Sequence, residues 1–450
     1  MDLQVTKKLA IPMLAIAGFC AAAADPGLVE AVKTHNHDAL AALIKAKTDA
    51  NIGLPDGSTP LAWAAYYDDL VAVNALLAAG ANPNTANIYA ESPLTLACEN
   101  GSQAIVQRLL DAGANGAAAR LNGETALMLA ARAGNAEIVK SLLDHGAKID
   151  AAESEKGQNA LMWASAQGNS AVVDILLKRG ALANHATQGG FTPLVFAIQN
   201  GDVKTVQSLL AAGANPNLLV SGTSMLALAM TAGKMEIAAS LVEKGADPKS
   251  AGAGGMTPLH QSARAGNAGL VKLLLQKGAD PNAKTAKAAA AGGRGRGGGG
   301  GGGRGAGAPA AGELTPLLMA ARAGVLEIMK TLIAGGADPS LKADDDSTLL
   351  IEAAGSGKRE VVEYVWQFDK DIKAANKTGT TVLHSAVSAT SSSVTQPELC
   401  ETIQFLAEKG APLDSKDSRG RTPLAIAEGP PLEKAVDLLT KLLQKSARTP

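Results

Sequence analysis

Aromatic side chains are scarce in this chain. Phe, Trp and Tyr together supply 3% of 450 residues, while apolar residues reach 46%. A core must therefore be built from Ala and Leu, whose small size lets helices approach closely. Net charge is also missing: 41 Lys and Arg against 42 Asp and Glu leave −1. So balanced a surface exerts no overall pull on nucleic acid or on an anionic membrane, and no nucleic-acid partner is expected. Cysteine is limited to Cys20, Cys98 and Cys400, which excludes a disulfide framework and a cysteine metal site. Gly-x-Ser-x-Gly, His-Glu-x-x-His and Walker-type lysine motifs do not occur, so no catalytic chemistry or cofactor is expected. The six histidines are His35, His37, His145, His185, His260 and His384. Only His35 and His37 share a turn. Two ligands are too few for a metal site, and none is expected.

Long apolar runs are confined to the N-terminus. Lys7 and Lys8 precede the stretch from Leu9 to Phe19, and Ala21-Ala22-Ala23-Ala24 follow before Asp25-Pro26. A charged start, a short apolar run and a small-residue exit are the parts of a secretory signal peptide. The run is too short to span a bilayer comfortably, and no other stretch is longer, so no integral membrane segment is expected in the mature chain. Pro12 argues against a packed first helix. Bulky Phe19 argues against lipid attachment at Cys20. Residues 1–24 are read as an export signal, and the protein as periplasmic or secreted.

What the chain has in abundance is repetition. The clearest unit runs from Asn122 to Ala147. Thr125 is placed as an N-cap. Gly134 ends a first helix and Asn135 caps a second. Ile138, Val139, Leu142 and Leu143 recur at helical spacing on one buried face, and Gly146 sits where a left-handed C-terminal cap is needed. Equivalent anchors are Thr59, Ser92, Thr125, Asn159, Thr192, Ser224, Thr257, Thr315, Thr348, Thr381 and Thr422, spaced 33, 33, 34, 33, 32, 33, 58, 33, 33 and 41 residues apart. Leucine follows two residues after every anchor. Alanine follows after five, except for Ser262. Proline stands directly after Thr59, Thr192, Thr257, Thr315 and Thr422, a first-turn position where it loses no hydrogen bond. Cys98 and Cys400, many layers of roughly 10 Å apart, cannot meet in one extended molecule.

Thr257-Pro258-Leu259-His260 and Leu274 to Asn282 resemble the ankyrin repeat, and the resemblance covers roughly residues 26–445. It implies an all-α repeat solenoid of about 12 stacked helix-turn-helix units with projecting β-hairpins or loops, whose concave face and loop tips bind partners. His260 and His384 alone keep the motif histidine. The array divides into block 1 (residues 25–283), a Gly/Arg-rich disordered insert (284–312) and block 2 (313–450), with a weakened interface at the insert. Asp25 to Lys47 and the helix Leu432 to Lys445 are read as end caps.

Several departures carry expectations of their own. The insert holds seven glycines from Gly297 to Gly303 among arginines, without aromatics for stacking on RNA, and is read as a linker. Ser388 to Pro397 is read as a loop. Asp344-Asp345-Asp346 lacks calcium-loop spacing and is read as an exposed acidic tip. Trp63, Trp163 and Phe196 share one register and are read as core. Trp366 and Phe368 replace the usual Leu and Gly and imply a distorted repeat.

The resemblance places partner contacts beside the hairpin glycine and at the solvent side of the first helix's end. Here these are Tyr66, Tyr67, Tyr89, Glu91, Glu99, Asn100, Glu124, Arg132, Gln158, Gln167, Phe191, Gln199, Met256, Arg264 and Arg322. Tyr and Arg are favoured anchors. The chain is accordingly read as an exported, monomeric, non-catalytic scaffold or adaptor for a protein partner. The alternative reading is a dedicated inhibitor or immunity-like partner of one enzyme or toxin.

Overall fold

Most anchor residues start a helix by the same device, although Thr192 makes no such side-chain bond. Thr125 is extended, and its side chain accepts from the Met128 amide at the head of the helix Ala126–Ala133. Thr59, Thr257, Thr315, Thr348 and Thr422 cap their own helices likewise, which satisfies an amide that the helix cannot. Gly134 stops the first helix at φ 79°. The side chain of Asn135 then accepts from the Glu137 and Ile138 amides and opens the second helix, Ala136–Asp144. In this computed structural model residues 27–287, 312–389, 394–429 and 431–447 are described. They contain 24 α-helices, two per unit of the expected twelve. The expected export signal and most of the Gly/Arg-rich insert lie outside the described residues.

The repeated Leu and Ala explain the stacking. Leu61, Leu94, Leu127, Leu161, Leu194, Leu226, Leu259, Leu317, Leu350 and Leu383 are at most 1% exposed. Leu424, in the last pair, is only half-buried. The small residue three positions later, Ser262 included, is fully buried in every copy, letting neighbouring helices close on each other. Two compact units result, one up to Ala164 with Lys178–Ala181, the other Ser165–Leu177 with Leu182 onward. In the first, Pro60–Tyr66 packs on Pro93–Asn100, and that on Ala126–Ala133. In the second, the same course runs through Pro258–Arg264, Pro316–Ala323, Leu349–Ala354 and Val382–Val387.

Two ladders of hydrogen bonds tie successive repeats within each unit. At the hairpin tips, the amides of Ile88, Leu121 and Ser154 donate to the carbonyls of Asp56, Tyr89 and Asn122 at 2.9, 3.2 and 2.9 Å. After the second helices, asparagines bridge: Asn84 Nδ2 donates to the Gly113 carbonyl at 2.9 Å, and its Oδ1 accepts the Asn115 amide at 2.7 Å. The hairpins themselves are short. Among the described residues one strand pair forms, Leu219–Val220 against Thr223–Ser224, with single bridges such as Ala119 to Thr125.

The structure corrects several expectations. Pro258–Arg264 packs directly on Pro316–Ala323, so the array is not weakened at the insert. The insert instead leaves from a hairpin whose base stays paired, Thr285 N donating to Leu314 O at 3.0 Å. Pro397 does not close a loop: it lies in the first turn of Gln396–Glu408, capped by Thr395. Trp63 is core, but Trp163 and Phe196 are only half-buried. In the acidic triplet only Asp346 is exposed; Asp344 and Asp345 accept from the Gly312 and Ser347 amides. The Trp366 repeat is distorted as read, its second helix Arg359–Val365 ending two residues short of the usual nine.

Candidate protein-binding surface

In the first unit, the helix Pro60–Tyr66 ends in an aromatic group. Trp63 is buried, and Tyr66 and Tyr67 are 45% and 38% exposed. The Trp63 and Tyr67 rings stack with centroids 5.8 Å apart, Tyr66 meets both edge-on, and His35 meets Tyr67 edge-on at 5.5 Å. Lys33 Nζ lies 4.0 Å over the Trp63 ring. These contacts fix the tyrosine rings before any partner arrives, which lowers the entropy lost on binding. Tyr89 sits apart from them at a hairpin tip, with Ile88 and Leu121 beside it, all more than half exposed.

Between tip and helix end runs a charged network. Arg120, only 15% exposed, reaches Glu91 at 3.4 Å, Glu124 at 3.2 Å and Glu99 by a short hydrogen bond. Burial disfavours its charge, but the three carboxylates outweigh that and hold its pKa up. Arg132 reaches Glu99 at 3.0 Å and lies 5.0 Å over the Trp163 ring. Two arginines thus serve three glutamates, leaving a negative excess. Asn100, next to Glu99, is occupied in capping: its Nδ2 donates to the Ala65 and Tyr66 carbonyls.

The second unit presents its candidates singly. Gln167, Gln199 and Arg264 are exposed, Phe191 and Met256 half-buried, and Phe191 leans on Phe196 with centroids 6.2 Å apart. Arg322 is engaged by its own fold: its fork grips Glu352 at 2.5 and 2.7 Å, and Glu352 is 3% exposed. Burial pushes the Glu352 carboxyl up even against this partner. Gln158 belongs to the first unit and accepts from the Trp163 indole at 3.1 Å.

The family profile described as "Ankyrin repeats (3 copies)" matches residues 28–119, 64–153, 115–185, 152–220, 194–285 and 317–397. The chain is an ankyrin-repeat protein. Alpha-latroinsectotoxin-Lt1a of Latrodectus tredecimguttatus is 31% identical over 116 residues, 26% of this chain and 8% of the toxin. The ankyrin repeat and KH domain-containing protein mask-1 of Caenorhabditis elegans is 32% identical over 186 residues, 41% of this chain and 6% of that protein. The chain therefore spans less than a tenth of either relative. The human ASB11 ankyrin repeat domain matches with 28% identity and a TM-score of 0.43, over 50% of this chain and 100% of that domain.

Ankyrin repeats are generally protein–protein interaction modules, which fits a surface of fixed rings beside a charged network. No described helix is long and apolar enough to cross a membrane. Cys98 is buried, and burial drives its thiol far above the ordinary range, so it is unsuited to nucleophilic work. Arg120 is not legible in the sequence as a site residue, because its partners come from separate segments. Nor is a third group beside His35 and His37. Asp69 joins them, its Oδ2 lying 3.3 Å from His35 Nδ1 and 2.7 Å from His37 Nε2. Its distance along the chain hid it; its place as the residue opening the next helix is the signal that could have found it.

Proposed function

We propose that this ankyrin-repeat protein is an exported, non-catalytic scaffold that captures a protein partner on its first unit. One observation carries the reading. Of ten large apolar side chains exposed among the described residues, seven lie between 66 and 121: Tyr66, Tyr67, Leu70, Val71, Ile88, Tyr89 and Leu121. Isolated exposed apolar residues need no explanation, but such a concentration marks an interaction site. The Lys7-Lys8 start and the apolar run to Phe19 support export to the periplasm or beyond.

The test is alanine at Tyr66, Tyr67 and Tyr89 together. Partners are captured from a periplasmic extract by crosslinking and quantified by mass spectrometry. Loss of one hot-spot ring weakens capture about thirtyfold, corresponding to about 2 kcal/mol. Helical content should hold, and the unfolding midpoint should fall only modestly, because Tyr66 and Tyr67 are partly exposed and what they lose is their ring contacts with Trp63. Unchanged capture by a folded triple variant refutes the surface. An uncleaved chain recovered from the cytosol refutes the export.

A further inference from the structure

We propose that His35, His37 and Asp69 form a binding site for a divalent transition-metal ion of the zinc class, with one coordination position open to solvent. This site is independent of the partner-binding reading. His35 Nδ1, His37 Nε2 and an Asp69 carboxylate oxygen lie within 4.8 Å of one another. Around tetrahedral zinc, ligand atoms at 2.0–2.2 Å from the ion stand about 3.3 Å apart. The His35–Asp69 contact already has that length, at 3.3 Å. The 2.7 Å contact of His37 with Asp69 is a proton-bridged spacing that lengthens by roughly 0.6 Å when the ion replaces the proton. Two imidazoles and a carboxylate suit zinc among biological divalent ions, and calcium or magnesium least.

The backbone holds these groups in place. Asp69 opens the helix Leu70–Ala78, with Oδ1 accepting the Ala72 amide at 2.9 Å. That leaves Oδ2 to face both imidazoles. Capping at this place does not need a charge, since Asn135 and Asn267 perform it in their own repeats. His35 occupies the turn between the first two helices, at φ 52°. The next repeat has Asp68 at the corresponding position, at φ 58°, and later turns use glycine at Gly101, Gly134, Gly168, Gly201, Gly233, Gly266, Gly324 and Gly357, all with positive φ. A histidine at this left-handed position sacrifices the conformational ease of glycine, and what it gains is a ring aimed at Asp69. Asn36, between the two histidines, caps the helix His37–Lys45 through the Ala39 amide and so fixes the angle between them. The ring of Tyr67 against His35 supports its orientation, as outer groups do at metal sites. Both imidazole side chains are about half exposed, at 53% and 44%, against 5% for Asp69, which leaves an entry path and room for a water ligand.

The test uses the full chain without an affinity tag, stripped with chelator and titrated with zinc against a chromophoric competitor. One zinc per chain is expected at the strong site. Asp69→Asn keeps the cap, and His35→Gly suits the left-handed turn, so both variants should fold. Each should weaken zinc binding at least about tenfold, and His35→Gly with His37→Gln should abolish the strong site. His145→Gln, at an exposed histidine elsewhere in the unit, should change nothing. Zinc should also raise the unfolding midpoint of the wild type but not of Asp69→Asn. Binding of equal strength in wild type, Asp69→Asn and His35→Gly, or no binding at 100-fold excess of zinc (about that ratio would saturate even a weak site), overturns the proposal.

Discussion

Replacing His260 with Met probes how the stack is held across its longest insertion. His260 is fully buried. Its Nε2 lies 2.8 Å from the Leu314 carbonyl, and its Nδ1 lies 3.2 Å from the Thr257 amide. A carbonyl only accepts, so Nε2 carries the proton and Nδ1 is the acceptor. Met128 and Met162 occupy the same register in their repeats, fully buried, so methionine fits the space. Met128 sulfur even stands 3.5 Å from the Thr125 amide. What His260→Met removes is therefore the bond to Leu314 and the 2.7 Å bond that the Thr257 hydroxyl donates to Nδ1. The Leu314 carbonyl keeps the Thr285 amide at 3.0 Å and is not orphaned. The loss is then near the lower end for a buried hydrogen bond, about 1–2 kcal/mol. Urea unfolding at neutral pH should show this decrease, and hydrogen exchange should place it in Pro258–Arg264 and Pro316–Ala323.

The same residue gives a pH dependence whose sign is fixed. Burial lowers the His260 pKa below its ordinary 6.5, outweighing its hydrogen bonds. The unfolded chain then binds the proton more readily. The stabilisation from neutral His260 is complete above about pH 6.5 and is lost as pH falls toward the lowered value. The wild-type advantage over His260→Met should shrink below about pH 6.5, by up to about 1.4 kcal/mol per pH unit. Equal stability of the two proteins at neutral pH, or an advantage that grows on acidification, refutes the reasoning.

Arg322→Leu should destabilise the second unit by about 2 kcal/mol in urea titration, because it strands the buried Glu352; the half-exposed Arg322 side chain keeps the effect below that of a fully enclosed pair. Adding Glu352→Leu should recover most of that loss. Asn84→Ala removes a bond to Gly113 and one from Asn115. About 1–2 kcal/mol of stability should go with them, with faster exchange of the Asn115 amide as the local sign.

The period, the capping threonines, the buried Leu and Ala registers and the glycine turns were all legible in the sequence. They are local or nearest-neighbour requirements, and each repeat restates them. Even the two retained motif histidines, His260 and His384, can be read this way once their acceptors are known. Each reaches the carbonyl two residues before the next helix pair begins, at Leu314 and Arg421. The two spacings that they bridge are the long ones, 58 and 41 residues.

What tertiary structure alone decided is which side chains meet between repeats. Residues about one period apart converge in space, and their partners are hidden by the intervening chain. Hence Arg120 gathers three glutamates, Asn100 turns out to cap its neighbour, and the insert leaves the stacking undisturbed because it departs from a hairpin. The pair His35 and His37 shows the difference most plainly. The sequence by itself determined two histidines in one turn. Only the docking of the next helix pair brought the Asp69 carboxylate against them, because stacking superimposes the end of one turn on the start of the following helix.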